Sequence, residues 1–134
     1  MPTTRSDFEK LVELRLQEAQ LLLDHQQWDG AYYLAGYAVE YALKVKIIGI
    51  VMQSDAFPER RSENRYYQHD LEALRHLAGL EAEMEADLPA KFAWTLVRDW
   101  NEQSRYALGR SEQAARDFLD AIKLRILPWI KARC

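Results

Sequence analysis

Two opposite charges, four residues apart, stand in the least polar stretch of the chain. The stretch is YYLAGYAVEYALKVKIIGIV, residues 32–51, and the pair is Glu40 and Lys44, with Lys46 just beyond. The acid precedes the base, the favourable order for an ion pair across one helical turn. If that face is exposed, the pair contributes a few tenths of a kcal/mol at most. If it is buried, Glu40 needs more than Lys44, because an uncompensated internal carboxylate is costly. A third polar partner from another helix is then expected. His69, followed by Asp70, and Arg105, followed by Tyr106, are the candidates. An imidazole oriented by a neighbouring acid can move a proton. A guanidinium can grip a carboxylate or a phosphate with two parallel bonds. Together, Lys44, His69 and Arg105 would supply a proton acceptor and cations for a phosphate. In the competing reading Arg105 turns inward to neutralise Glu40. Glu40, Lys44 and Arg105 then form a structural network that fixes helix register, and His69 merely opens a helix.

These residues must be positioned by helices. Glycine and proline are scarce, and no alternating strand pattern appears. Ser6 and Glu9 have the spacing of a capping box, so a first helix is expected from about Ser6 to His25. Its apolar stripe includes Phe8, Leu11, Val12, Leu16, Ala19 and Leu23. Asp29 is placed to cap a second helix over about 30–52. That helix is apolar on nearly all sides, which places it at the centre of a bundle. The segment QSDAFPERRSENRYYQ, 53–68, reads as a long loop. A third helix is expected to begin near His69 or Asp70 and to end by Gly79. A fourth covers 81–102 and is broken by Pro89. SRYALGR then leads to Ser111, a good cap for a fifth helix over 112–131, bent near Pro128. The expected fold is all-α, an up-and-down bundle of four to five helices in one domain spanning 1–134.

Composition narrows the function classes. Net charge is −3 over 134 residues, so there is no global bias toward nucleic acid. Residues 81–102 hold six acids, whereas 103–134 hold seven Lys or Arg against three acids. The last quarter is thus mildly basic, which suits a solvated helix face as well as an anion. Cys134 is the sole cysteine, so no internal disulfide forms. A polar N-terminus and charges inside the one long apolar run point to a cytoplasmic protein with no membrane span. His25, His69 and His76 are scattered, and no glycine-rich phosphate loop is present. Neither a metal nor a cofactor is expected.

WDGAYYLAGYAVEYALK (28–44), YYQHDLEALRHLAGL (66–80) and DWNEQSRY (99–106) occur in that order. They resemble the HEPN family, the higher eukaryotes and prokaryotes nucleotide-binding domain. The first stretch is the most specific, and from first to last the three span residues 28–106. The resemblance implies a helical bundle that dimerises, often beside a minimal nucleotidyltransferase protein in a toxin–antitoxin pair. It also implies, for active members, a metal-independent ribonuclease marked by an arginine, four to six residues, then a histidine. Here Arg105 stands where that arginine is expected. Positions 110, 111 and 112 hold Arg110, Ser111 and Glu112, and no histidine follows His76. Arg65 precedes His69 too closely. The hallmark is absent, and no catalytic residue is assigned.

The expected function is therefore a non-catalytic HEPN-like binding module. It would form a homodimer, associate with a nucleotidyltransferase, and contact nucleotide or RNA through Lys44, His69, Arg105 and Tyr106. The alternatives are a divergent ribonuclease using His69, and a structural or interaction protein without ligand. ERRSENRYY (59–67) interleaves arginine with tyrosine, as single-strand binders do, but Glu59 and Glu63 offset its charge.

Overall fold

Helix α1 (Arg5–Asp24) is capped by Thr4 rather than by Ser6. Thr4 Oγ1 accepts from the Asp7 amide at 3.1 Å, and Asp7 Oδ2 accepts from the Thr4 amide at 3.1 Å. The capping box is thus the Thr4–Asp7 pair, two residues upstream of the expected Ser6–Glu9 pair. The computed structural model describes residues 4–51 and 68–134. The expected loop through residue 67, with Arg65 and ERRSENRYY, lies outside them.

The turn after α1 is tight. Gln26 takes the left-handed conformation, φ 64°, and the Gln27 amide returns to the Leu22 carbonyl at 2.8 Å. Helix α2 (Trp28–Val51) follows at once. It packs along α1 and also touches segments from the rest of the chain, and Ala35, Val39, Leu43 and Ile47 are fully buried. That surround is why α2 is apolar on nearly all sides. Asp29 does not cap it. Its carboxylate lies in the first turn and accepts from the amides of Gly109 and Arg110, both at 3.0 Å, tying the start of α2 to a distant loop.

Helix α3 (Leu71–Leu77) is capped by Asp70, whose Oδ1 accepts from the amides of Glu72 and Ala73 at 3.0 and 3.3 Å. Gly79, at φ 71°, turns the chain out of it, a conformation glycine adopts without side-chain strain. The expected fourth helix is two: α4 (Glu81–Glu85) and α5 (Leu88–Val97). Asp87 caps α5, and Pro89 sits in its first turn, where a missing amide costs nothing. A 3₁₀ turn covers Glu102–Tyr106, with the Asn101 side chain accepting from the Gln103 amide. Ser111 caps α6 (Glu112–Ala121) as expected. A π-helical turn, Ile122–Ile126, leads straight into α7 (Leu127–Lys131). Pro128 supplies a reason for the wider turn: it has no amide for the Leu124 carbonyl and its ring crowds that oxygen.

The result is an all-α fold of about six helices, with no strand among the described residues. No helix among those residues is long and apolar enough to cross a membrane. The buried indoles are held by distant acids. Trp94 Nε1 donates to Glu72 at 3.0 Å, and Trp129 Nε1 donates to Asp87 at 2.9 Å. Trp100 is the exception, and it borders the polar site.

Candidate polar site between α2, α3 and the 3₁₀ turn

Glu40 is buried, with 1 % of its surface exposed. Its position on α2 is dictated by the core: Val39 and Leu43 are fully buried, and one helical face cannot turn inward without carrying its neighbours. Lys44 follows one turn later, 5 % exposed, and its Nζ donates to Glu40 Oε2 at 3.1 Å. The local ion pair is therefore real and internal. The third partner arrives from 29 residues away: His69 Nδ1 lies 2.8 Å from Glu40 Oε1.

His69 is itself clamped. Its other nitrogen, Nε2, is 3.0 Å from Glu102 Oε2, on the 3₁₀ turn. The ring thus bridges a buried carboxylate on α2 and a half-exposed one near the surface. An imidazole donates to two carboxylates at once only as the imidazolium. Both ring nitrogens are thus engaged by carboxylates rather than open to a substrate. Asp70 does not orient the ring; its carboxylate is spent on the α3 cap.

Aromatic residues wall the site. Tyr37 meets the His69 ring edge-on at 6.1 Å between centroids and the Trp100 ring edge-on at 4.9 Å. The Tyr33 hydroxyl donates to the Tyr37 hydroxyl at 3.3 Å. Burial pushes the Tyr37 phenol far above its ordinary range, aided by Tyr33 and by the negative charge of Glu40. Burial likewise raises Tyr41. Gly36 is the residue that lets the indole in. A Cβ there would lie 2.1 Å from Trp100 Cε2. Trp100 Nε1 is buried against this surface and has no hydrogen-bond partner among the described residues.

Arg105 does not join the network, contrary to the expectation that it neutralises Glu40. His69 occupies the place of the third partner. Arg105 is exposed, with its guanidinium 4.8 Å from the centre of the Tyr106 ring. Contact with the hydroxyl of Tyr106, and secondarily with that of Tyr33, raises its pKa further. The structure thus unites Glu40, Lys44 and His69, and leaves Arg105 and Tyr106 on the surface.

Outside the His69–Glu102 contact is a recess of about 680 Å³, bordered by Gln68, Asp70, Arg98, Trp100 and Gln103. Asp70, Asp99 and Glu102 outnumber Arg98 around it, so the recess is a poor place for a phosphate.

Sequence reasoning missed Glu102 and Trp100, and missed Arg75 altogether. Arg75 is 4 % exposed. Its guanidinium reaches Glu72 at 2.7 Å and Glu85 at 3.1 Å, and lies 5.1 Å from the Trp94 ring centre. Glu72 in turn accepts from Trp94 Nε1, so the cluster joins α3, α4 and α5. Its one sequence signal was Glu72 three residues before Arg75. No protein-family model, no curated protein and no solved structure matches the chain.

Proposed function

We propose that the chain is a non-catalytic binding module of the HEPN-like kind, a four- to five-helix up-and-down bundle that acts as a homodimer in the cytoplasm beside a minimal nucleotidyltransferase protein. One observation carries the non-catalytic part. Both nitrogens of His69, the histidine closest to a plausible base, face carboxylates at 2.8 and 3.0 Å. A general base needs a free lone pair within reach of the hydroxyl it deprotonates. The missing arginine–histidine spacing points the same way. The nucleotidyltransferase partner and the dimer rest on the resemblance alone.

Within this reading a nucleotide or RNA meets Arg105 and Tyr106, and not Lys44, which is buried beneath Glu40 and His69. Tyr106 is 65 % exposed, and an exposed ring with a guanidinium on it can stack a base and hold a phosphate. The test is a tagged pull-down from native cells at moderate salt, with mass spectrometry and the absorbance ratio for nucleic acid. The expected result is a stoichiometric nucleotidyltransferase, with any bound RNA lost in Arg105→Ala while the fold persists. Cleavage of an RNA panel that disappears in His69→Ala would instead establish the divergent ribonuclease. A clean protein with neither partner nor nucleic acid leaves the Glu40 network as a register-setting core charge.

A further inference from the structure

The 3₁₀ turn that carries Arg105 and Tyr106 is fastened at several points. Before it, Trp100 lies against Gly36 of α2. After it, Asp29 of α2 accepts from the amides of Gly109 and Arg110. Within it, Arg105 touches the Tyr33 hydroxyl, and Glu102 Oε2 meets His69 Nε2 at 3.0 Å. The last contact is made by an imidazole, so a single proton can make or break it.

The two carboxylates on the ring are not equivalent. Glu40 is 1 % exposed, whereas the Glu102 side chain is 40 % exposed and within reach of water. A neutral imidazole keeps one N–H and turns the other nitrogen into an acceptor. Kept on Nδ1, the proton still serves Glu40. Kept on Nε2, it would leave a lone pair against a buried carboxylate that water cannot reach, the costlier arrangement. The proton that leaves is therefore the one on Nε2. Two acceptors then face each other across the Glu102 contact, and the exposed carboxylate turns to solvent.

The other charged and titratable groups around the ring do not compete for it. Lys44 is bonded to Glu40 Oε2, and the Tyr37 ring stands edge-on. Asp70 accepts from the α3 amides, and Arg98 lies 3.9 Å from Asp99.

We propose that His69 is a proton-operated latch: as the imidazolium it fastens the turn Glu102–Tyr106 to Glu40 of α2, and as the neutral ring it releases Glu102 and loosens the turn. Rising pH thus frees the surface formed by Arg105 and Tyr106. The consequence for a ligand there rests on the function proposed above; the latch itself does not. The lone pair uncovered on Nε2 opens toward the recess, where Asp70 and Asp99 still outnumber Arg98 and repel a phosphate.

The test is nuclear magnetic resonance of the whole chain over about pH 5–8. Ring nitrogen shifts, assigned to His69 by their absence in His69→Gln, report its proton count and tautomer. Exchange protection, taken relative to an unstructured chain at each pH, is read at the Gln103, Ser104 and Ala107 amides, which are bonded within the turn. The expected result is loss of the Nε2 proton and a fall in protection of roughly tenfold or more along the same curve. The Arg110 amide, held by Asp29, should not follow it. Glu102→Gln should erase the curve and keep the turn fastened, because its amide accepts from one form of the ring and donates to the other. Glu102→Ala should leave the turn loose throughout. A ring that never changes its proton count, a neutral ring protonated on Nε2, or protection indifferent to the ring overturns the proposal. So does a wild-type curve in Glu102→Gln. RNA binding on the same samples keeps the two readings apart: a working latch without bound RNA counts against a ligand at Arg105 and Tyr106 alone.

Discussion

Gly36→Ala sets two effects of known sign against each other. The added methyl would lie 2.1 Å from Trp100 Cε2 and 2.2 Å from Cδ2 and Nε1. Ordinary carbon contact is about 3.5–4.0 Å, so the indole must withdraw by more than about 1 Å. It has little room to do so: Trp100 is 1 % exposed and its ring meets Tyr37 edge-on at 4.9 Å. Overpacking of this kind costs about 1–3 kcal/mol. Alanine in a helix interior returns about 0.8–1 kcal/mol over glycine. The clash wins over most of that range, and the expected net loss is up to about 2 kcal/mol. Remove the indole and only the propensity term survives. Trp100→Leu should itself cost about 2–4 kcal/mol. In that background Gly36→Ala should stabilise, by up to about 1 kcal/mol. Urea denaturation of the four proteins, completing the cycle, reads the change of sign directly. Equal costs in the two backgrounds, or a gain in the wild-type chain, would refute the argument that the indole's approach is what requires glycine.

Three other outcomes follow from the same contacts. Glu40→Gln should destabilise by about 3 kcal/mol, measured by urea denaturation, because it removes the buried charge that Lys44 and His69 share; a change below about 0.5 kcal/mol would mean the network does not couple the helices. Arg75→Met should lower stability by about 2 kcal/mol in the same assay, and Arg75→Lys should not restore it, because an ammonium cannot reproduce the fork that spans Glu72 and Glu85. Burial raises the phenols of Tyr37 and Tyr41, so the folded chain holds those protons more tightly than the unfolded chain. Their contribution is then fully present below about pH 10 and is lost as pH rises above it. Ultraviolet titration should show Tyr37 and Tyr41 ionising later in the native chain than in the unfolded one, and Tyr37→Phe should remove one of the two delayed steps. A native titration that coincides with that of the unfolded chain would contradict this.

Several structural facts were readable in the order of residues, and they are the local ones. Helix periods marked an all-α chain, the 32–51 stretch, apolar on nearly all sides, marked the central helix, and the spacing of Glu40 and Lys44 marked an ion pair across one turn. Asp70 and Ser111 stood at helix starts, and Pro89 marked the break before α5. Each depends on dihedral angles and neighbours within a turn or so. The capping box slipped by two residues because Thr4–Asp7 and Ser6–Glu9 offer nearly the same chemistry, and only the α1 register chooses between them.

Tertiary structure decided which distant side chains met. His69 rather than Arg105 completes Glu40, and Glu102 rather than Asp70 holds the far side of the imidazole. Arg75 is buried although its residue type favours the surface. These pairings turn on how each helix is rotated about its own axis and on where the short turn at 102–106 sits. A rotation of one residue, about 100°, would carry His69 or Glu102 out of reach without changing the apolar pattern much. Gly36 shows the same limit in reverse: a glycine inside an apolar helix signals a close approach, but that the visitor is Trp100 is set by the packing of the two segments.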